Sequence, residues 1–226
     1  MRPQVARSMN SKAWRAAVVA AVSVGCLPAG VQAEPVRSGV YRAAEGPDVA
    51  SWLEIRDGGR FRYVLSAGAL DEQAEGRWQS DGDALLLYTE PKPVPPEFVL
   101  KHMAPRTEAP FSLKVSWPDG GGIAGVEFRI GYADGTVTEG YTQEYGWTQS
   151  ASTPADPVWL ELYEPIHRIS PRRFDLARGT GSVDITLVPH DIGVVDFTGN
   201  RVWTDGDTLF LGRDGGAMRF KRQDVR

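Results

Sequence analysis

The feature that most constrains this chain is the alternation of apolar and polar residues in short runs that end at glycine-rich turns. Leu53 and Ile55 fall on one face of an extended strand, whereas Trp52 and Glu54 fall on the other. The Asp-Gly-Gly of residues 57–59 follows, and such residues tolerate the positive φ of a tight hairpin turn. Helical periodicity is almost absent after residue 34, so the sequence predicts antiparallel strands. At Leu70–Gly76 a single helical turn remains an alternative.

A sequence pattern near the beginning of the chain recurs near its end. The Arg…Asp-Gly-Asp…Leu-x-Leu pattern of residues 77–87 recurs at residues 201–211, although Trp78 and Trp203 are one position out of register. Segment 37–90 offers about five strands and segment 191–222 about three, and about eight strands close a small barrel. We therefore predict an all-β fold in which the N- and C-terminal segments form a small antiparallel barrel with an inserted β-sandwich. Two sequential sandwiches are the alternative.

Proline-rich stretches mark the predicted boundaries, because proline cannot join the interior of a sheet. They lie at residues 90–97 and 104–110. The predicted organisation is a signal peptide at 1–33, an N-terminal barrel segment at 34–100, a linker at 101–110, a β-sandwich at 111–190 and a C-terminal barrel segment at 191–226.

Two short motifs resemble known families. The Gly-Ile-Ala-Gly-Val of residues 122–126, with the Asp-Gly of 134–135 and the Gly-Trp of 146–147, resembles carboxypeptidase-regulatory-like (transthyretin-like) β-sandwiches. The Gly-Arg-Trp of residues 76–78 and the Asp-Gly-Asp of 81–83 resemble the lipocalin-like small barrels of bacterial envelope proteins. The first resemblance implies an adhesion or interaction module, and the second implies a ligand holder or an inhibitor.

The first 33 residues have the organisation of a secretory signal peptide. Four basic residues precede the apolar stretch 16–27, and Val31-Gln32-Ala33 fits a cleavage site after Ala33. An alternative is a lipid anchor at Cys26, the only cysteine, because Gly25-Cys26 resembles the end of a lipoprotein signal. No apolar run reaches the roughly 18 residues that span a bilayer. We expect an exported protein, periplasmic or secreted, with no transmembrane helix.

Removal of this segment changes the charge of the chain. Its four basic residues leave 21 of the 25 Lys and Arg against all 29 Asp and Glu, a formal charge of −8. An acidic, exported chain disfavours nucleic acid as a partner. Without a second cysteine, the exported chain must be held together by its core rather than by disulfides.

The sequence contains no motif of a known catalytic or metal site. Its three histidines, His102, His167 and His190, are far apart, and the Asp-Gly-Asp turns supply too few oxygens for calcium. Asp71, Glu72 and Glu75 are the carboxylates that glycoside hydrolysis would need. We therefore predict a protein that is not an enzyme and that needs no metal or cofactor.

Aromatic residues are the best candidates for a binding site, because a ring at a barrel mouth grips sugars and apolar ligands. The candidates are Trp52, Tyr63, Trp78, Tyr88, Tyr145, Trp147 and Trp203. We expect a non-catalytic envelope protein that binds a partner protein, a glycan or a small apolar ligand. One alternative is a peptidase- or lysozyme-inhibitor-like barrel that uses Glu34–Ser38 to plug an enzyme cleft. The other is a carboxylate-dependent glycan hydrolase. An aromatic-lined barrel mouth would favour ligand holding, whereas a filled interior would favour protein partners.

Overall fold

The computed structural model describes residues 34–43, 49–150 and 156–223 and confirms the all-β prediction. The predicted signal peptide, Cys26 included, lies outside these residues. The described ranges hold sixteen strands and no helix, and so none that could cross a bilayer. The strands are β1 (Gly39–Ala43), β2 (Val49–Arg56), β3 (Arg60–Ala67), β4 (Leu70–Asp81), β5 (Ala84–Thr89), β6 (Glu97–Pro105), β7 (Ser112–Ser116), β8 (Glu127–Tyr132), β9 (Val137–Tyr141), β10 (Trp147–Thr148), β11 (Pro157–Glu164), β12 (Ile169–Asp175), β13 (Thr180–Val188), β14 (Thr198–Asp205), β15 (Thr208–Arg213) and β16 (Gly216–Arg222).

Eight of these strands form the predicted closed antiparallel barrel, in the order β1-β16-β15-β14-β5-β4-β3-β2. The three C-terminal strands complete it, because β14 pairs with β5 and β16 pairs with β1. Closure pairs the edges that five N-terminal strands would leave open. The alternative of two sequential sandwiches is therefore wrong.

The inserted segment forms two four-stranded sheets, β10-β7-β13-β6 and β12-β11-β8-β9. Alternate residues of both sheets meet in one hydrophobic cluster that includes Phe111, Phe128 and Ile185. We call this pair of sheets the sandwich. Because its strands lie between β5 and β14 in the chain, the sandwich is inserted in the barrel, as predicted.

Two details differ from the sequence predictions. Residues 70–76 are not a helical turn but the first half of β4, paired with β3 throughout. Residues 97–105, assigned to the barrel and the linker, form β6, which pairs with β13 inside the sandwich. Prolines flank β6 on both sides, so their density concealed a strand whose ladder partner is about 80 residues away in the sequence.

The interior of the barrel is filled by its own side chains. Leu53, Tyr63, Leu87 and Leu211 are completely buried there. Phe197 comes from the segment that returns from the sandwich, and its ring lies 5.9 Å from Phe61 and 5.4 Å from Tyr63, centroid to centroid. The returning chain thus inserts an aromatic plug into the barrel core.

Two adjacent chain segments, 90–96 and 189–197, connect the modules. Val94 N–H donates to the Asp191 carboxylate (2.8 Å), and Asp191 N–H donates to the Val94 carbonyl (3.1 Å). On the barrel side, the Thr89 hydroxyl donates to the Val195 carbonyl and accepts from Phe197 N–H (2.7 and 2.9 Å). These bonds fix the returning segment where it delivers Phe197 to the interior.

The end of the barrel that lies away from the sandwich is covered by residues 34–38. Val36 packs against the barrel core, the Tyr41 hydroxyl donates to the Arg37 carbonyl (2.5 Å), and Thr204 donates to the Glu34 carbonyl. The segment considered for plugging an enzyme cleft therefore covers the end of its own barrel.

Replacing the plug tests how much the barrel depends on it. We expect Phe197→Ala to lower the free energy of unfolding by about 3–5 kcal/mol, because it leaves a cavity among buried rings. Urea denaturation followed by tryptophan fluorescence measures this change. Tyr145→Ala is the control: its ring is 86% exposed, and we expect a change of less than about 0.5 kcal/mol. A similar small change for both variants would show that Phe197 is not an essential part of the core.

Candidate functional site

The seven predicted aromatic residues do not form one site. Tyr63 is inside the barrel, Trp78 packs at the end of the barrel away from the sandwich, and Trp147 lies in the sandwich with its ring 4.8 Å from Phe128. Tyr145 is exposed in the turn before β10. Strand alternation places the other three, Trp52, Tyr88 and Trp203, on the outer barrel wall.

Neighbouring side chains lie against each of the rings on the outer wall. The guanidinium of Arg62 is 5.3 Å from the ring centre of Trp52, and that of Arg77 is 4.6 Å from that of Tyr88. Trp203 stacks on Phe210, with ring centres 5.4 Å apart. These contacts stabilise the wall through cation–π and stacking interactions.

The carboxylates considered for hydrolysis do not converge either. Strand alternation along β4 directs Glu72 inwards and Asp71 and Glu75 outwards. Both carboxylate oxygens of Glu72 accept bonds from Arg213, at 2.5 and 3.0 Å. Glu72 therefore forms an ion pair instead of facing a second acid across a groove.

The Glu72–Arg213 pair is the centre of a charged network at the end of the barrel that faces the sandwich. The side chains are only 14% and 13% exposed, and Arg213 also donates to the Tyr63 hydroxyl (2.8 Å). Burial lowers the pKa of Arg213, but the hydrogen bonds to Glu72 and the charges of Tyr63, Glu72 and Asp214 together raise it above its usual range. For Tyr63, whose neutral form burial favours, burial raises the pKa.

The network continues into the sandwich. Asp214 accepts from Arg213 and lies 3.1 Å from the guanidinium of Arg168, which belongs to the turn between β11 and β12. Arg168 and Asp214 both have positive φ (54° and 53°), a conformation that L-residues rarely adopt. Around these residues is a cleft of about 480 Å³, also lined by Lys92, His167 and Asp191. The network joins the two modules, and its guanidinium groups are already engaged.

The histidines remain apart in the structure. His167 lies 3.3 Å from Glu164 within one turn, His190 lies 3.4 Å from Glu97, and His102 is exposed on β6. In the described part of the chain, no three His, Cys, Asp or Glu residues are grouped to hold a metal ion.

The outward faces of the two sandwich sheets differ in character. The first sheet presents polar residues such as Asp184 and Lys114 to water, and its exposed apolar residues, Val99 and Leu100, lie on the edge strand β6. On the second sheet, Tyr141, Trp159 and Tyr163 point outwards among charged residues. Aromatic side chains on the solvated side of a sheet are not needed for its core. We call this surface, formed by β9, β8, β11 and β12, the aromatic face.

Trp159 is the least accessible of the three rings to a binding partner. It lies flat over Gly131, where a Cβ would come within 2.0 Å of the indole. The Arg173 guanidinium is 4.3 Å from its ring centre. Only glycine fits beneath this ring, and Arg173 covers the ring. Trp159 therefore stabilises the sheet rather than offering a free binding surface.

Tyr141 and Tyr163 instead border a groove of about 290 Å³. Their common neighbour across the strands is Glu127, an exposed carboxylate that makes no hydrogen bond or ion pair with the described residues. Beside it, Arg129 bonds Glu139 (2.8 Å) and lies 3.5 Å from Glu161. Two carboxylates thus hold Arg129 while Glu127 is left unpaired in the described part of the chain, and the groove offers hydrogen-bond acceptors between two rings.

Strand alternation in the sequence indicates part of the aromatic face, although the aromatic residues themselves are not clustered in the sequence. The alternation of apolar and polar residues predicts strands at 126–132 and 158–163, and it separates Glu127 and Arg129 from the core residues. The pairing that brings Tyr163 and Tyr141 to either side of Glu127 is a tertiary fact, so sequence spacing alone could not predict the groove.

Removing one partner of the buried ion pair tests the network. We expect Glu72→Gln to lower the free energy of unfolding by about 3 kcal/mol, because it leaves the buried Arg213 charge with only the more exposed Asp214 as a counter-ion. Thermal and urea denaturation measure the loss. Glu139→Gln breaks an exposed pair, so it is the matched control, with an expected cost below about 1 kcal/mol. Equal costs would contradict the structural role of the buried pair.

Comparison with known proteins finds no matching family model, and no curated protein or solved structure with significant similarity. The two motif resemblances therefore remain predictions.

Proposed function

We propose that the protein is an exported, non-catalytic β-protein that binds another protein through the aromatic face of its sandwich. The barrel acts as a closed support that holds this face in a fixed orientation. The observation that carries the proposal is the contrast between a barrel filled by its own side chains and a sandwich sheet that presents rings to solvent.

The packed barrel favours a partner outside it. Ligand-holding barrels keep an interior cavity, whereas here Tyr63, Phe197 and Leu87 occupy the axis and residues 34–38 cover one end. A small apolar ligand would have to displace side chains that are packed as in a protein core.

Exposure of the aromatic face favours a protein partner. Tyr141 is 63% exposed and Val137 is 44% exposed, on the same face of β9 with Glu139 between them. Tyrosine is enriched at protein interfaces because it combines apolar area with a hydrogen-bonding hydroxyl. Glu127 and Glu139 next to it favour a basic partner surface.

The two other functions considered from the sequence have less support. An inhibitor acting through Glu34–Ser38 would have to release that segment from the barrel end. A hydrolase would need a second carboxylate opposite Glu72, whose two oxygens are held by Arg213.

A glycan is the second candidate ligand, and the groove is the observation that favours it. Tyr141 and Tyr163 lie two strands apart, about 10 Å, which leaves room for one sugar ring stacked between them. Glu127 would accept bonds from sugar hydroxyls. Calorimetric titration with a panel of envelope saccharides distinguishes this candidate from a protein partner.

Site-specific photo-cross-linking tests the proposed function. We expect Tyr141→p-benzoylphenylalanine, in cells that produce the protein, to give a discrete protein adduct upon irradiation. The same substitution at Lys114, an exposed position on the other sheet, is the matched control and should give none. Addition of Glu139→Lys should weaken the Tyr141 adduct, because it reverses a charge beside the cross-linker.

Equal adducts from both positions, or none from either, would contradict the proposal. Saccharide binding that is lost in Tyr141→Ala, without any protein adduct, would replace it with the glycan function.

A further inference from the structure

The four sheet edges of the sandwich are not equally protected against pairing with another strand. Natural sheets blunt their edges with proline, lysine, bulges or very short strands. β10 has only two residues, and β12 contains Pro171 and pairs with β11 through a register shift. β6 contains Lys101 and has two register shifts against β13.

β9 is the exception. Its pairing with β8 is regular from Val137 to Tyr141, and it contains neither proline nor lysine. On its other side it pairs with no strand of the described chain. β9 is therefore the one edge among the described strands that keeps the geometry of a template for strand addition.

The pairing pattern shows which backbone groups face outwards. Tyr132 N–H donates to Thr136, and Thr142 N–H donates to Val126, so the even-numbered residues of this strand form the hydrogen-bonded pairs with β8. The N–H and C=O groups of Val137, Glu139 and Tyr141 consequently point away from β8. Their side chains lie on the aromatic face, where a neighbouring strand would meet them directly.

Charge selects the occupant of this edge. A second copy pairing antiparallel about the centre of β9 would place Glu139 opposite Glu139, and like charges directly opposite are destabilising. Glu139 is bonded to Arg129 on β8, and Glu127 on the same face is a carboxylate without a partner among the described residues. A strand with a basic residue at its centre and apolar residues on either side meets Glu139, Val137 and Tyr141 favourably.

We propose that β9 accepts an extended, basic segment of a partner protein as an added strand. Main-chain bonds to the outward groups of Val137, Glu139 and Tyr141 supply the affinity, and Glu139 selects lysine or arginine opposite it. This inference rests on the proposed function and specifies how the partner is bound.

Peptide binding to the full chain, followed by amide NMR, tests the inference. The probe is acetyl-Thr-Val-Thr-Lys-Thr-Val-Thr-amide, and its matched control carries Glu in place of Lys. We expect the Lys peptide to bind about tenfold more tightly, because an attractive cross-strand pair replaces a repulsive one. The outward amides of Glu139 and Tyr141 should become protected from exchange, whereas those of Thr138 and Gly140 should not change.

Charge reversal provides the second arm. Glu139→Lys should reverse the preference, so that the Glu peptide binds more tightly, and Glu139→Gln should make the two peptides nearly equal. Asp184→Lys, on the outward face of the other sheet, is the control and should leave the preference for Lys unchanged. Glu139→Gln keeps the side-chain size and serves if the reversed variant fails to fold.

Equal binding of the two peptides to the natural chain, or binding without protection of the Glu139 and Tyr141 amides, would overturn strand addition. Self-association through β9, seen by sedimentation and lost in Tyr141→Ala, would overturn the basic partner. A photo-adduct at Tyr141 with unprotected amides would overturn this inference alone and leave the proposed function in place. Protected amides without any adduct would contradict the proposed function instead.

Discussion

The insertion of Phe197 into the barrel is the contact on which the rest of the structure depends. The ring packs against Phe61 and Tyr63, and the backbone on either side of it is tied to Thr89. The chain leaves the barrel after β5, forms the sandwich and returns at β14, where the barrel must be closed again. The returning segment contributes a core residue to that closure. The same segment connects the modules. It therefore both fills the barrel and attaches the sandwich to it.

In a molecule with a filled barrel, the side chains that are free to bind a partner lie on the outside. On the barrel wall, Arg62 and Arg77 lie against Trp52 and Tyr88, and at the junction Arg213 is engaged by Glu72 and Tyr63. On the sandwich, Tyr141 is exposed next to an open strand edge and Glu127 has no described partner. An exposed ring, an unpaired carboxylate and an open strand edge therefore meet at β9.

Most of the architecture could be predicted from sequence, because strand alternation and turn glycines are local signals. The repeated hairpin pattern also predicted that the C-terminal strands complete the barrel. The one-residue offset between Trp78 and Trp203 explains their different positions: Trp78 packs at the barrel core, whereas Trp203 lies on the outer wall.

The contacts that could not be predicted join distant parts of the sequence. The Glu72–Arg213 pair joins residues 141 positions apart, and the groove forms only because β8 lies between β9 and β11 in the sheet. Such long-range pairings leave no trace in local periodicity, and proline density hid β6 for the same reason.

The filling of the barrel interior by its own side chains is the property that directs binding to the outside. Methyl NMR under xenon pressure is the decisive measurement, because xenon enters apolar cavities and shifts the resonances of the methyl groups that line them. We expect no shift for the methyl groups of Leu53, Leu87 and Leu211, which are completely buried on the barrel axis. Saturable shifts at these three residues would show a cavity in the barrel and would return its interior to consideration as a ligand site.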